Sequence, residues 1–133
     1  MDRRVRIGVY GVAVHRDHLL LTQLSARDRD VGRWTLPGGG MEFGESPHET
    51  LRREFYEETG LIPEIGSVLD VASFLPRPEL HVIQMVFEVD AQGEPRVIEV
   101  DGSTADAGWF PTSTVGSMPT VPLVDRLLQM RGW

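Results

Sequence analysis

The sequence predicts an α/β fold with a mixed β-sheet that is covered by helices on both faces. Segments rich in β-branched and apolar residues stand before and after an acidic helical segment, and a second helical segment follows near residue 123. Strands on both sides of a helix indicate a mixed sheet, and two helices can cover its two faces. The 133 residues contain no repeat or long linker, so we expect one domain over 1–133.

The N-terminal segment is predicted to form a β-hairpin. Residues 5–14 are rich in β-branched side chains, and residues 19–24 are almost entirely apolar. The polar residues 16–18 between them are expected to form the turn. The polar and charged segment 25–33 is predicted to be a loop.

Residues 34–40 are predicted to contain only a short extended piece. Residues 34–36 are expected to be extended because the residue before Pro37 disfavours the helical conformation. The three glycines at 38–40 are expected to break all regular structure.

The best-defined element is a helix over 47–59. Ser46 can cap its first turn, Pro47 suits the first helical position, and Glu49 completes a capping box. Gly60 supplies the residue with left-handed backbone that commonly ends a helix. These signals lie within the segment itself, so they predict both of its ends.

The rest of the chain is predicted to contain strands and a second helix. The strands are expected over residues 65–75, 81–89, 97–100 and 107–110. A turn is expected over 91–94, and the helix over 123–130, after a segment punctuated by prolines.

Composition excludes several classes of function. The chain has no cysteine, which excludes disulfides, thiol nucleophiles, iron–sulfur clusters and zinc sites built on cysteine. It also has no lysine, which excludes Schiff-base chemistry. The net charge of −7 disfavours binding to a nucleic acid duplex but leaves mononucleotides open. No apolar stretch reaches the ~18 residues of a membrane span. The sequence shows no targeting signal, so we expect a cytoplasmic protein.

The predicted helix carries an acidic face. At about 100° per residue, Glu57 and Glu58 lie about 60° and 40° to either side of Glu54. Leu51 and Phe55 lie beside them, so the carboxylates border the buried face. Like charges at this spacing cost about 0.2–0.5 kcal/mol per pair, and a divalent cation would turn the repulsion into a binding site. Oxygen ligands favour Mg²⁺ or Mn²⁺; the alternative is a solvated acidic face with arginine partners.

A glycine-rich loop precedes this helix. Gly38, Gly39 and Gly40 let the backbone approach a ligand closely and offer amide groups to anions. Such loops are also common as simple turns. Together with the acidic helix, however, this loop would provide the groups needed for metal-assisted attack on a phosphate.

The loop and helix together resemble the Nudix box, which would span residues 39–61. All seven fixed positions of that motif are matched, and they are Gly39, Glu45, Arg53, Glu54, Glu57, Glu58 and Gly60. The resemblance implies an α/β/α sandwich around a mixed sheet, with the box as loop–helix–loop. It also implies metal-dependent hydrolysis of a small molecule, a nucleoside diphosphate linked to another moiety. The oligomeric state is left open, with a homodimer as one possibility.

The resemblance implies roles for individual residues. Glu54, Glu57 and Glu58 would bind the metal ions together with the backbone carbonyl of Gly38. Arg53 would orient the glutamates by paired hydrogen bonds, and Arg53, Glu54 and Glu57 form the expected catalytic set. Glu45 would have an orienting role.

The general base is left open between two groups of acids. Within the box, the candidates are Glu54 and Glu57. On the later loop, the candidates are Glu99, Asp101 and Asp106, which could equally be ordinary solvated residues.

Substrate contacts are expected from five residues. The backbone of Gly39 and Gly40 would approach the phosphates, and Arg29 could pair with them. Trp34 and Phe74 could stack on a base. The alternatives are that these aromatic side chains pack in the core and that the arginine is solvated.

The substrate class is only weakly indicated. Pro76 lies fifteen residues after Leu61, as in many ADP-ribose pyrophosphatases, which favours ADP-ribose or a nucleotide sugar. Leu24 stands where MutT-like enzymes have an arginine that contacts the base, which weighs against 8-oxo-dGTP. The alternatives are a MutT-like nucleoside triphosphate pyrophosphohydrolase and a non-catalytic nucleotide-binding module, although no glutamate of the box is lost.

Overall fold

The structure is a computed structural model that describes residues 2–133. Within these residues the chain forms seven strands and two α-helices. In chain order they are β1 (Arg4–His15), β2 (His18–Leu24), β3 (Trp34–Thr35), β4 (Gly38–Gly40), α1 (Pro47–Thr59), β5 (Glu64–Arg77), β6 (Leu80–Asp90), β7 (Thr104–Pro111) and α2 (Pro122–Arg131). A short 3₁₀ turn at Val115–Ser117 precedes α2. Neither helix has the length and apolar character needed to cross a membrane.

The strands form one mixed sheet organised around β1. β1 pairs in parallel with β6 along most of its length, and its middle residues also pair antiparallel with β4. Its last residues turn into β2, which pairs antiparallel with both β3 and β7. β5 completes the sheet as the antiparallel neighbour of β6. The predicted mixed sheet is therefore confirmed.

Each face of the sheet has its own apolar core. Alternate residues of a strand point to opposite faces, and in β2 this places Leu20 in the core under α1, with Leu19 and Leu21 in the core under α2. Leu51 and Phe55 of α1 are fully buried in the first of these cores. The two helices therefore cover opposite faces, which confirms the predicted fold class.

The helix prediction is confirmed at both ends, from Pro47 to Thr59. The Ser46 side chain accepts a hydrogen bond from the Glu49 amide at 3.1 Å, and the Glu49 carboxylate accepts one from the Ser46 amide at 3.0 Å. Gly60 adopts the left-handed conformation, with φ of 70°.

We expect Ser46→Ala to lower the free energy of unfolding by about 1 kcal/mol, because an orphan amide of the first turn loses its acceptor. Urea denaturation would measure this loss, with Ser67→Ala on the exposed part of β5 as the control. Equal stability of the two variants would contradict the importance of this cap.

Two predicted elements were wrong. The glycines at 38–40 do not break regular structure but form β4, because a ladder of backbone hydrogen bonds needs no side chains. Residues 97–100 do not form a strand. Their backbone instead binds the end of α1, where the Ile98 amide donates to the Glu57 carbonyl at 2.9 Å and the Arg96 amide donates to the Thr59 carbonyl at 2.7 Å.

Candidate active site

β4 lies directly against the acidic face of α1. The Gly38 amide donates to Glu58 Oε1 at 3.0 Å. Gly38 has φ of 147°, and a Cβ on it would lie 2.1 Å from the Val9 carbonyl oxygen. A Cβ on Gly39 would lie 2.6 Å from the carboxyl carbon of Glu54. The glycines are therefore required for β1, β4 and the glutamates to come this close.

Arg53 connects three parts of the box. Its Nε and Nη2 atoms donate to the two carboxylate oxygens of Glu45 at 2.8 and 2.9 Å, while Nη1 donates to Glu54 Oε1 at 2.9 Å. The Arg53 Nη1 atom also lies 3.7 Å from Glu57 Oε2. These hydrogen bonds from Arg53 lower the pKa of Glu45 to about 2, and the same contacts raise the pKa of Arg53. The guanidinium thus fixes Glu54 relative to the loop that carries Glu45.

Replacing Arg53 by Lys keeps the charge but removes the planar fork. Because the folded pKa of Glu45, about 2, lies below its unfolded value of about 4.3, Glu45 stabilises the fold above about pH 4.3 and loses this effect as the pH falls toward 2. We therefore expect Arg53→Lys to destabilise the protein most at neutral pH and least near pH 2.

Urea unfolding at the two pH values would measure this difference, with exposed Arg52→Lys as the control. An equal loss of stability at both pH values would show that the fork does not hold the Glu45 carboxylate.

Burial and mutual repulsion act on the three glutamates of the acidic face. Burial raises the pKa of Glu58 well above its usual range, because its side chain is almost wholly enclosed, and the charges of Glu54 and Glu57 add to this rise. Burial also raises the pKa of Glu54, against the opposing effect of Arg53. The pKa of Glu57 is raised by burial and then by the charges of Glu54 and Glu99.

The chemistry of this cluster fits a divalent cation. Across residues 2–133, no three His, Asp or Glu side chains already stand in the geometry of a ligand set. The available donors on this face are all carboxylate oxygens, which Mg²⁺ and Mn²⁺ prefer. A cation would also offset the repulsion and burial that raise the pKa of Glu54, Glu57 and Glu58.

The five predicted substrate contacts lie in different surroundings. Gly39 and Gly40 lie on β4 beside the glutamates. Trp34 packs edge to face on Phe110, with ring centres 4.8 Å apart, and also contacts the core under α2. Phe74 is exposed on β5, and Arg29 is exposed in the loop before β3. Of the five, only Gly39 and Gly40 have described contacts with the acidic face. The substrate-binding roles of all five residues stay predictions.

Three residues of β1 that were not predicted from the sequence, Arg6, Gly8 and Tyr10, lie beside β4. Gly8 of β1 stands opposite Gly40 of β4 in the ladder. A Cβ on Gly8 would lie 2.7 Å from the Tyr10 ring, and one on Gly40 would lie 3.3 Å from the Arg6 guanidinium. The Tyr10 ring therefore packs over Gly8, which is buried, and the exposed Arg6 guanidinium lies over Gly40. The signal was present in the two-residue spacing of Arg6, Gly8 and Tyr10, which places them on one face of a strand.

Tyr10 is connected with the acidic face electrostatically as well as through β4. Burial raises the pKa of Tyr10, Arg6 opposes this rise, and the charges of Glu58 and Glu54 add to it. Tyr10 therefore lies within the field of both the basic and the acidic groups.

The three loop acids differ in their surroundings. The Glu99 amide donates to the Glu57 carbonyl at 3.0 Å, and the charge of Glu99 raises the pKa of Glu57 and Glu54. The Asp106 carboxylate accepts a hydrogen bond from the Ala107 amide at 2.8 Å. Asp101 is exposed, with φ of 55°. Of the three, Glu99 has the described contacts with the acidic helix.

The matched motif and this geometry agree with a comparison over the whole chain. The family model of the NUDIX domain matches residues 2–128. The chain belongs to the Nudix family. The match includes strands on both sides of the box, so membership does not rest on the box alone.

Relatives of this Nudix domain carry several different names. It is 40% identical over 88 residues to an ADP-ribose pyrophosphatase of Methanocaldococcus jannaschii, a match that covers 65% of this chain and 52% of that protein. It is 34% identical over 87 residues to a MutT-like protein of Streptomyces ambofaciens, covering 65% and 53%. The matches thus span about half the length of these two relatives.

Solved structures confirm the Nudix fold. A MutT protein from Methanosarcina mazei is 26% identical and superposes with a TM-score of 0.79, covering 98% of this chain and 94% of the other. The predicted α/β/α arrangement therefore holds over nearly the whole Nudix domain.

Proposed function

We propose that this Nudix domain is a metal-dependent hydrolase that cleaves the phosphate anhydride bond of a nucleoside diphosphate linked to another moiety. The observation that carries the proposal is the contact of the β4 glycines with the Glu54 and Glu58 carboxylates. This contact brings the half-buried backbone of Gly39 and Gly40, which suits phosphate oxygens, next to carboxylates, which suit a hard cation.

Four groups would hold the cation in this proposal. They are the carboxylates of Glu54, Glu57 and Glu58 and the backbone carbonyl of Gly38. When bound, Mg²⁺ or Mn²⁺ would polarise the phosphoryl group and neutralise charge on the leaving phosphate. Arg53 would orient Glu54 through the hydrogen bond from its Nη1 atom, which supports its assignment to the catalytic set.

The proton of the attacking water would go to Glu57 or to Glu99. Glu57 is supported by its access to water, because its side chain is 33% exposed while that of Glu54 is 16% exposed and paired with Arg53. Glu99 is supported by its exposure and its attachment to the Glu57 backbone. A base must lie within hydrogen-bond reach of the water that it deprotonates. For Glu57 and Glu99 alike, this condition would be met only in the substrate complex.

Arg6 supports a phosphate-bearing nucleotide derivative as the substrate. Its exposed guanidinium lies over Gly40 of β4 and could pair with a phosphate. We propose ADP-ribose or a nucleotide sugar as the class. The name of the Methanocaldococcus jannaschii relative supports this choice.

A second candidate is a nucleoside triphosphate, which the MutT-like relative from Streptomyces ambofaciens supports. The same anhydride chemistry would serve both classes. They differ in the group beyond the second phosphate, and we propose the exposed side chains of Phe74 and Arg29 as candidate contacts for that group.

The products distinguish these candidates. Wild-type protein with Mg²⁺ would be given ADP-ribose, nucleotide sugars and the normal and oxidised nucleoside triphosphates. We expect ADP-ribose to give AMP and ribose 5-phosphate, measured by ³¹P NMR or ion-exchange chromatography. Release of pyrophosphate from a triphosphate alone would favour the second candidate. Thermal stabilisation by a ligand without turnover would indicate a non-catalytic module instead.

A further inference from the structure

Glu99 lies on a segment that is hydrogen-bonded both to the acidic helix and to the loop that follows β2. The amides of Ile98 and Glu99 both donate to the Glu57 carbonyl, at 2.9 and 3.0 Å. These bonds fix the backbone of Glu99 against the last turn of α1. They leave the position of its carboxylate to be set by other contacts.

Gly102 leaves the room that this carboxylate occupies. A Cβ on Gly102 would lie 2.5 Å from the carboxyl carbon of Glu99 and 2.7 Å from its Oε2 atom. The Glu99 side chain therefore folds back onto Gly102, in space that any other residue would occupy. The φ of Gly102 lies outside the left-handed range, so a side chain there would displace the Glu99 carboxylate without straining the backbone.

Ser25 holds Gly102 in place from the other side. Its hydroxyl donates to the Gly102 carbonyl at 2.7 Å and accepts a hydrogen bond from the Arg27 amide at 3.2 Å. The Ser25 amide donates to the Ser103 carbonyl at 2.8 Å. One hydroxyl thus connects the loop before β3 with the segment that carries Glu99.

We propose that Ser25 and Gly102 form a seat that positions the Glu99 carboxylate beside Glu54 and Glu57. The inference rests on the proposed function for its catalytic consequence. Ser25 and Gly102 are positioning residues, because both act through the carboxylate of Glu99. The Glu99 amide is bonded to the Glu57 carbonyl at 3.0 Å, which keeps Glu99 next to the end of the acidic face, so movement of its carboxylate would change the field in which substrate and cation bind.

Gly102→Ala tests the seat directly, with Gly116→Ala as the matched control, because a Cβ on Gly116 meets no atom within 4 Å. We expect kcat to fall about tenfold in Gly102→Ala, with KM and the melting temperature near those of the control. A readout independent of activity is the ¹³C NMR signal of the Glu99 carboxyl carbon. We expect this signal to shift in Gly102→Ala and to stay unchanged in Gly116→Ala.

Ser25 provides the second test. Ser25→Ala removes the hydroxyl, and we expect faster hydrogen exchange at the Glu99 amide together with a lower kcat. Ser25→Thr retains the hydroxyl and is expected to restore both. If Gly102→Ala does not fold, the comparison of Ser25→Ala with Ser25→Thr tests whether the seat positions Glu99.

The outcomes separate this inference from the proposed function. If wild-type protein cleaves no substrate, the proposed function fails, while the NMR shift and the exchange rate still report on the seat. If wild-type protein is active but Gly102→Ala keeps its kcat and its Glu99 signal, the seat is overturned. Failure of Ser25→Thr to restore what Ser25→Ala loses would also overturn it.

Discussion

Glu57→Gln is expected to lower the rate of metal-dependent hydrolysis by about 10²–10³-fold without unfolding the protein, because it removes several kcal/mol of charge stabilisation at the phosphoryl group. The glutamine has nearly the same shape, and Glu57 lies at the partly exposed edge of α1 with no hydrogen bond that the fold depends on. Steady-state kinetics at saturating Mg²⁺ would measure the effect, and circular dichroism would confirm the fold.

Glu64→Gln provides the matched control, because Glu64 is an exposed glutamate at the start of β5. Its activity is expected to equal that of the wild type. Full activity in Glu57→Gln would show that the acidic face of α1 takes no part in the mechanism. An equal loss of activity in Glu57→Gln and Glu64→Gln would indicate a general electrostatic effect.

Gly38→Ala is expected to destabilise the protein by about 3 kcal/mol or more, since the φ of Gly38 belongs to a region that is essentially confined to glycine. The added Cβ would also lie 2.1 Å from the Val9 carbonyl oxygen, so β4 would have to separate from β1. That separation would withdraw the Gly38 amide from Glu58. Urea denaturation would measure the loss of stability.

Gly116→Ala serves again as the control, because it adds the same methyl group in open space. A midpoint of denaturation in Gly38→Ala equal to that of the control would show that β4 accommodates a side chain. The close contact between β1, β4 and α1 would then not depend on glycine at this position.

Elements with local signals were predicted well from the sequence. The helix from Pro47 to Thr59 has its cap, its first proline and its terminating glycine within the segment, so neither end depends on distant residues. The acidic face followed from helical periodicity alone. Its closeness to the glycines also followed, because the loop between them is short.

Elements that depend on distant partners were predicted poorly. β4 pairs with β1, about 30 residues earlier, and glycines carry no side-chain pattern that would reveal such pairing. Residues 97–100 contain β-branched side chains typical of a strand, but their amides bind the end of α1 instead. In both cases tertiary hydrogen bonding overrides local propensity.

The same limit applies to the substrate contacts. Arg6 and Tyr10 become neighbours of the acidic face through the pairing of β1 with β4. An exposed arginine on a strand looks the same in the sequence whether or not β4 lies beside it. Trp34 shows the converse, since an aromatic residue before the glycines suits stacking, yet its ring packs on Phe110.

The most direct test of the proposed chemistry is the initial rate of anhydride cleavage by wild-type protein as Mg²⁺ is titrated from zero. The substrate would be ADP-ribose, with nucleotide sugars and nucleoside triphosphates in parallel. We predict no cleavage without the ion, a saturable rise with its concentration, and complete loss on adding excess chelator. Cleavage that persists in chelator, or no cleavage of any substrate by folded protein with Mg²⁺ or Mn²⁺, would contradict metal-assisted hydrolysis at Glu54, Glu57 and Glu58.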